Sequence, residues 1–271
     1  MALHDRYARR TPFELAFPDR ARAERLAEDA LEEAEARGVD PHHPQMFATL
    51  GSVGAFLAEL RDPDAPPEAV HQYAALAFHG VAFARAGYPL YLLSTDAARG
   101  LVAAAPEGEP EPPARAGYLQ LPQHLFWVES GAEDEVPESV DGLFWTLTSD
   151  DTLHTLLVTG LRPDRPGVGV IPVPEAPIAD APSWLRATVR GADQGADFES
   201  AIPGADIDGL CGIRSAGEPL KLLARVFAAM ANEPGRAEWR EPAGGAPDAA
   251  EAPEPGPAPS DIAYTFIRDD G

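Results

Sequence analysis

The sequence predicts an α+β protein, with a helical unit first and an antiparallel sheet after it. Three observations carry this expectation. Apolar residues recur at helical spacing through roughly the first hundred positions. A proline- and glutamate-rich stretch, PEGEPEPPAR, then occupies 106–115. Beyond it the apolar period changes to two, in short runs rich in β-branched and aromatic residues.

The helical unit, 1–105, divides into about four helices. Asp19 is a suitable cap for a helix that reaches Arg37, and Gly38 supplies its stop. The apolar stripe of this helix (Leu26, Ala27, Ala30, Leu31, Ala34) is thin, which places it at the surface. A second helix, from about Pro44 to Arg61, presents Met46, Phe47, Leu50, Val53, Leu57 and Leu60. The third runs from Pro67 to Gly87 and is apolar on two sides, so it is the expected centre of this half. Tyr88 to Leu93 reads as a short strand or as a helix start. Ser94 or Thr95 then caps a last helix to about Ala105.

The second unit, 116–240, holds four strand-like runs: GYLQLPQHLFWVE, DGLFWTLT, TLHTLLVTGL and GVGVIPVP. Together they predict a β-meander. Pro122 and Pro172 cannot donate to a ladder, so their segments belong at edges or bulges. Residues 175–217 read as loop, with a short element at SWLRATVR. A helix over 218–232 follows, with Leu222, Leu223, Val226, Phe227 and Met230 on its buried side, and closes one face of the sheet. Residues 241–259, EPAGGAPDAAEAPEPGPAP, are too poor in large apolar side chains to order themselves and predict a disordered linker. The last segment, 260–271, is strand-like again, Ile262, Tyr264 and Phe266 alternating with Ala263, Thr265 and Ile267. It adds either to the chain's own sheet or, as a tethered docking peptide, to a partner's.

Charge excludes several functions. Lys and Arg number 21 against 44 Asp and Glu, a formal net charge of −23. Such a surface repels phosphate backbones and anionic membranes, so neither direct nucleic-acid binding nor membrane attachment is expected. Acidity also suits solubility, or a basic protein partner. No apolar run is long enough to span a bilayer, and the N-terminus lacks the apolar core of a secretory signal. A single cysteine, Cys211, rules out an internal disulfide framework. A cytoplasmic protein is the expectation.

The candidate chemistry starts at TLTSDDTLHTLLV, 146–158. If Asp150 and Asp151 make a two-residue turn, Leu147 pairs with His154, Trp145 with Leu156 and Leu143 with Val158. His154 then lies on the more apolar face. As a general base oriented by either aspartate it is a weak catalytic candidate. Turn aspartates ordinarily bond to local backbone instead, and no G-x-S-x-G nucleophile elbow occurs. His79, between Leu76 and Phe83 on the third helix, reads as a hydrogen-bonded core residue. The adjacent histidines of PHHP diverge, and H-E-x-x-H is absent. Asp193, Asp197, Asp206 and Asp208 form an oxygen-rich stretch, a weak metal candidate that lacks the EF-hand spacing. No phosphate-binding glycine loop is present, and no cofactor is expected.

The aromatics are the stronger signal. Phe144 and Trp145 point to opposite faces of one strand, and Phe126 and Trp127 do the same in another. Aromatics left exposed on a sheet mark an interface. Trp127, Phe144, Trp145, Tyr264 and Phe266 are therefore the expected binding residues. The functional expectation is a non-enzymatic interaction or assembly subunit with a protein partner. Two alternatives stand beside it: an enzyme or small-ligand binder with a pocket between helices and sheet, and an acidic inhibitor of a basic, nucleic-acid-binding protein.

Overall fold

The computed structural model describes residues 7–60, 67–123, 125–128, 138–159, 169–187, 211–213, 215–242 and 258–269. Its helices and largely antiparallel sheet make the chain α+β. The first five helices are α1 (Pro12–Ala16), α2 (Arg20–Arg37), α3 (Pro44–Phe47), α4 (Gly51–Leu60) and α5 (Pro67–Arg85). Local chemistry sets their ends. Thr11 and Glu14 close a reciprocal capping box on α1. The Asp19 carboxylate accepts from the Arg22 N–H, and Gly38, at φ 63°, ends α2 in the left-handed conformation. The single helix expected from Pro44 to Arg61 is broken into α3 and α4. Glu33 of α2 reaches the break and accepts the backbone N–H groups of Gly51 and Ser52, each at 2.8 Å.

Tyr88 to Leu93 resolves as a strand, β1 (Leu90–Leu93), followed by α6 (Thr95–Ala103), which Ser94 caps. The run GYLQLPQHLFWVE becomes two strands, β2 (Ala116–Gln120) and β3 (Phe126–Val128). Next come β4 (Glu138–Leu147), β5 (Thr152–Thr159), β6 (Gly169–Pro177), α7 (Ala181–Arg186), β7 (Cys211–Ile213), α8 (Gly217–Asn232), β8 (Ala237–Arg240) and β9 (Tyr264–Ile267).

Among the described residues the main sheet runs β6-β5-β4-β2-β1-β9-β8, with β3 joining β4 and β7 to one side. The meander strands β2, β4, β5 and β6 pair antiparallel as expected, and the sheet as a whole is mixed, because β1 pairs in parallel with both β2 and β9. Parallel pairs need a crossover, and α6 lies between β1 and β2 in the chain. The C-terminal strand is also settled in place. β9 is an inner strand of the chain's own sheet, between β1 and β8, and is not a free docking peptide. Of the linker expected at 241–259, residues 243–257 lie outside the described residues. At its far end Pro259 bridges to Arg9, and Ser260 and Asp261 bond to Glu14.

Helices lie on both faces of the sheet. On one face Leu90, Leu92, Tyr118, Phe144, Leu156, Val158 and Tyr264 pack with Phe13, Phe47, Leu76 and Phe83 of the N-terminal helices. On the other, Tyr91, Leu93, Leu143, Trp145, Leu153 and Leu157 pack with Leu101 of α6 and Leu222, Val226 and Phe227 of α8. A strand covered on both faces must be apolar on both, which is why β4 and β5 carry large side chains at successive positions.

Candidate functional site

The hairpin that holds His154 differs from its expected form by one residue. Its loop contains three residues, Ser149, Asp150 and Asp151, closed by Thr148 N–H donating to the Thr152 carbonyl at 3.0 Å. Asp151 takes the left-handed conformation at φ 59°, the geometry of a three-residue hairpin loop. Thr146 therefore faces His154, Phe144 faces Leu156 and Trp145 faces Thr155. A one-residue change of register turns every side chain to the other face. His154 thus shares a face with Phe144 and Thr146, and Trp145 lies on the opposite one.

His154 is packed among rings and is 8% exposed. Its ring centroid lies 6.0 Å from Phe78 and 6.5 Å from His43, and its Nδ1 is 3.8 Å from Oε2 of Glu175. Burial lowers its pKa, against the opposing pull of Glu175, so it is a neutral imidazole at neutral pH. The aspartates do not orient it as a base. Asp150 accepts from the Thr148 hydroxyl at 2.5 Å, and Asp151 faces Arg115 at 3.7 Å. His79 is the hydrogen-bonded core residue its position suggests. Its Nδ1 lies 2.9 Å from the Thr146 hydroxyl, its ring stacks near Phe144, and burial drives its pKa down to about 3.

The five aromatic candidates occupy different places from those expected of a binding surface. Phe144 and Tyr264 are buried under the N-terminal helices, and Trp145 is buried against Tyr91 and Phe227, with centroids at 5.4 and 5.3 Å. Trp127 is 8% exposed, and Phe266 is half-buried beneath the Arg240 guanidinium, 3.8 Å above its ring. As an exposed aromatic face the set is therefore corrected: the helices of this chain cover both sides of the sheet. Asp193, Asp197, Asp206 and Asp208 lie outside the described residues. Among the described residues no group of three or more His, Cys, Asp or Glu is arranged to hold a metal ion. No described helix is long and apolar enough to cross a membrane.

Buried charge is concentrated at a second place. Arg9 is 2% exposed and donates through Nε and Nη2 to Oδ1 of Asp141, at 3.1 and 2.8 Å. The Tyr118 hydroxyl donates to Oδ2 of the same carboxylate at 2.6 Å. Gln120 clamps the Arg9 backbone, accepting its N–H at 2.8 Å and donating to its carbonyl at 3.1 Å. An irregularity in β4 between Val140 and Gly142 aims Asp141 into this cluster. Gly142 has to be glycine, because a Cβ there would lie 2.4 Å from the Leu119 carbonyl oxygen. With every strong partner inside the chain, the cluster fastens the N-terminal segment to the sheet.

Among the described residues the two end strands of the main sheet are unlike each other. β6 ends one side and carries Pro172, Pro174 and Pro177, which cannot supply the N–H groups a further strand needs. β8 ends the other, with the sequence Ala237, Glu238, Trp239, Arg240 and no proline. Trp239 is 65% exposed, far more than the other large apolar residues at the surface (Leu15, Met46 and Ile171). Arg268 N–H donates to the Arg236 carbonyl at 3.0 Å, and the pairing continues in that register. Alternation along an antiparallel ladder then turns the backbone groups of Glu238 and Arg240 toward β9 and those of Ala237 and Trp239 outward.

No family model and no curated protein matches the chain. Among solved structures it is similar to one titled "Crystal structure of AcrVA2", at 12% identity and a TM-score of 0.31. That likeness covers 60% of this chain and 56% of the other, so the chain spans little more than half of that protein's length.

Sequence reasoning missed β8 because four residues offer too few alternations to register as a strand. The signal available was chemical: a tryptophan flanked by charges of opposite sign, with no proline beside it. What this edge can do chemically is present backbone donors and acceptors beside a large amphipathic ring, the requirements for adding a strand.

Proposed function

We propose that the chain is a non-enzymatic interaction or assembly subunit, and that it engages a protein partner by strand addition at β8. One observation carries the reading: Trp239 stands 65% exposed on a proline-free strand that ends the sheet, with no further strand beside it among the described residues. Tryptophan is among the side chains most enriched in residues that dominate interfaces, and here it stands beside backbone donors and acceptors that can template a further strand. The net charge of −23 argues in addition against nucleic acid as the direct partner.

The test is hydrogen exchange of the full chain with and without its partner, beside Trp239→Ser. Binding should protect the Ala237 and Trp239 amides, and Trp239→Ser should weaken association about tenfold or more while leaving the melting temperature within a few degrees of wild type. Protection confined to other parts of the molecule would remove β8 from the interface.

A further inference from the structure

The pattern of β8 points to a particular occupant. Resting on the strand-addition reading, we propose that the partner at this edge is a second copy of the same chain, its β8 paired antiparallel about a two-fold axis through Trp239.

The argument begins with charge. Charged side chains on an edge strand ordinarily deter pairing, because an arbitrary incoming strand cannot match them. Here the two charges are opposite in sign and flank Trp239 symmetrically. In an antiparallel pair centred on Trp239, Glu238 of each copy falls opposite Arg240 of the other. Self-pairing thus creates two complementary cross-strand pairs. A parallel arrangement of two copies in the same register sets like charge against like.

The ladder geometry agrees with that register. The outward-facing backbone groups belong to Trp239 and Ala237, so the two Trp239 residues form the hydrogen-bonded pair on the axis. Glu238 and Arg240 then fall at the non-hydrogen-bonded position, where opposed side chains approach most closely. Glu238 and Arg240 already share one side of the strand, where Arg240 Nη2 lies 3.2 Å from Glu238 Oε2. Dimerisation joins the two existing ion pairs into a ring of four alternating charges. Arg240 is held in place for this by its position over Phe266. The two Trp239 rings lie together on the opposite side and cover each other, which is what an isologous two-fold contact requires.

A contact centred on four residues falls below the standard interface of about 1,600 Å², so the dimer belongs to the weak, concentration-dependent class. Sedimentation of the full chain over a dilution series should show a reversible monomer–dimer equilibrium. Glu238→Arg sets arginine against arginine across the axis, and Arg240→Glu sets glutamate against glutamate. Each single reversal should raise the dissociation constant about tenfold or more, since both symmetric pairs are lost together. The double reversal Glu238→Arg/Arg240→Glu regenerates both pairs and should return it to within a few-fold of wild type. Thermal melts of all three variants show that the fold persists.

Failure of the double reversal to restore association overturns the register. A wild-type chain that sediments as a monomer at every concentration overturns self-pairing altogether. In that case protection of Trp239 by a different protein still supports strand addition, and protection elsewhere fails both proposals.

Discussion

At the scale of single residues, the buried polar groups behave as structural parts. Arg9 and Asp141 are 3% and 7% exposed as side chains, and removing one member leaves the other charged and desolvated. Asp141→Ala should therefore cost about 3–5 kcal/mol in urea unfolding, well above the loss typical of a surface substitution. An effect below about 1 kcal/mol would show that Arg9 finds water when its carboxylate is gone. His79 gives a prediction in pH. Its folded pKa of about 3 lies below its ordinary value of 6.5, so the unfolded chain takes up the proton first as pH falls. Stability is accordingly intact above about 6.5 and declines as pH drops from there toward 3, with a limiting slope of about 1.4 kcal/mol per pH unit from this residue. Measured against wild type, His79→Gln should flatten that part of the stability profile. An unchanged profile would mean that His79 titrates freely. The lowered pKa of His154, which burial causes, acts in the same sense.

At the scale of elements, helix capping and chain breaks were written locally. Asp19 and Gly38 bound α2, Ser94 caps α6, and Pro219 stands in the first turn of α8, all features a reader of the sequence can locate. Other features escaped local reading for identifiable reasons. The break between α3 and α4 is held by Glu33, which is distant in sequence from the N–H groups it accepts, and those bonds draw its pKa down to about 2. The 149–151 loop needed a count of three where two looked sufficient. That one residue decided that His154 faces α5 and Trp145 faces α8. Arg225 of α8 shows the same dependence on distant chain. It donates to the carbonyls of Leu101 and Val102 at the end of α6 and of Leu185 in α7, satisfying helix C-terminal groups that local sequence leaves open.

At the scale of the whole molecule, the last strand decides the order of the sheet. β9 lies between β1 and β8, and Tyr264 and Ile267 are buried on opposite faces. Deleting 258–271 should consequently remove several kcal/mol, since burying each such side chain contributes about 1.5–3 kcal/mol and domains are stable by only about 5–15. The truncated chain should melt far below wild type or fail to fold. A melt equal to that of wild type would show β9 to be dispensable. The sequence by itself determined the α+β class, most helix limits, the strand character of 260–271 and the acidity that disfavours nucleic acid, because these depend on local periodicity, capping chemistry and composition. Tertiary structure alone decided which faces are covered. The aromatic strands looked like an interface because period-two patterning records that a side chain points to a face, and not what lies upon it. Helices separated from those strands by long stretches of chain cover both sides. Among the described residues the one large aromatic left exposed, Trp239, is open because β8 stands at the end of the sheet with no described strand beyond it.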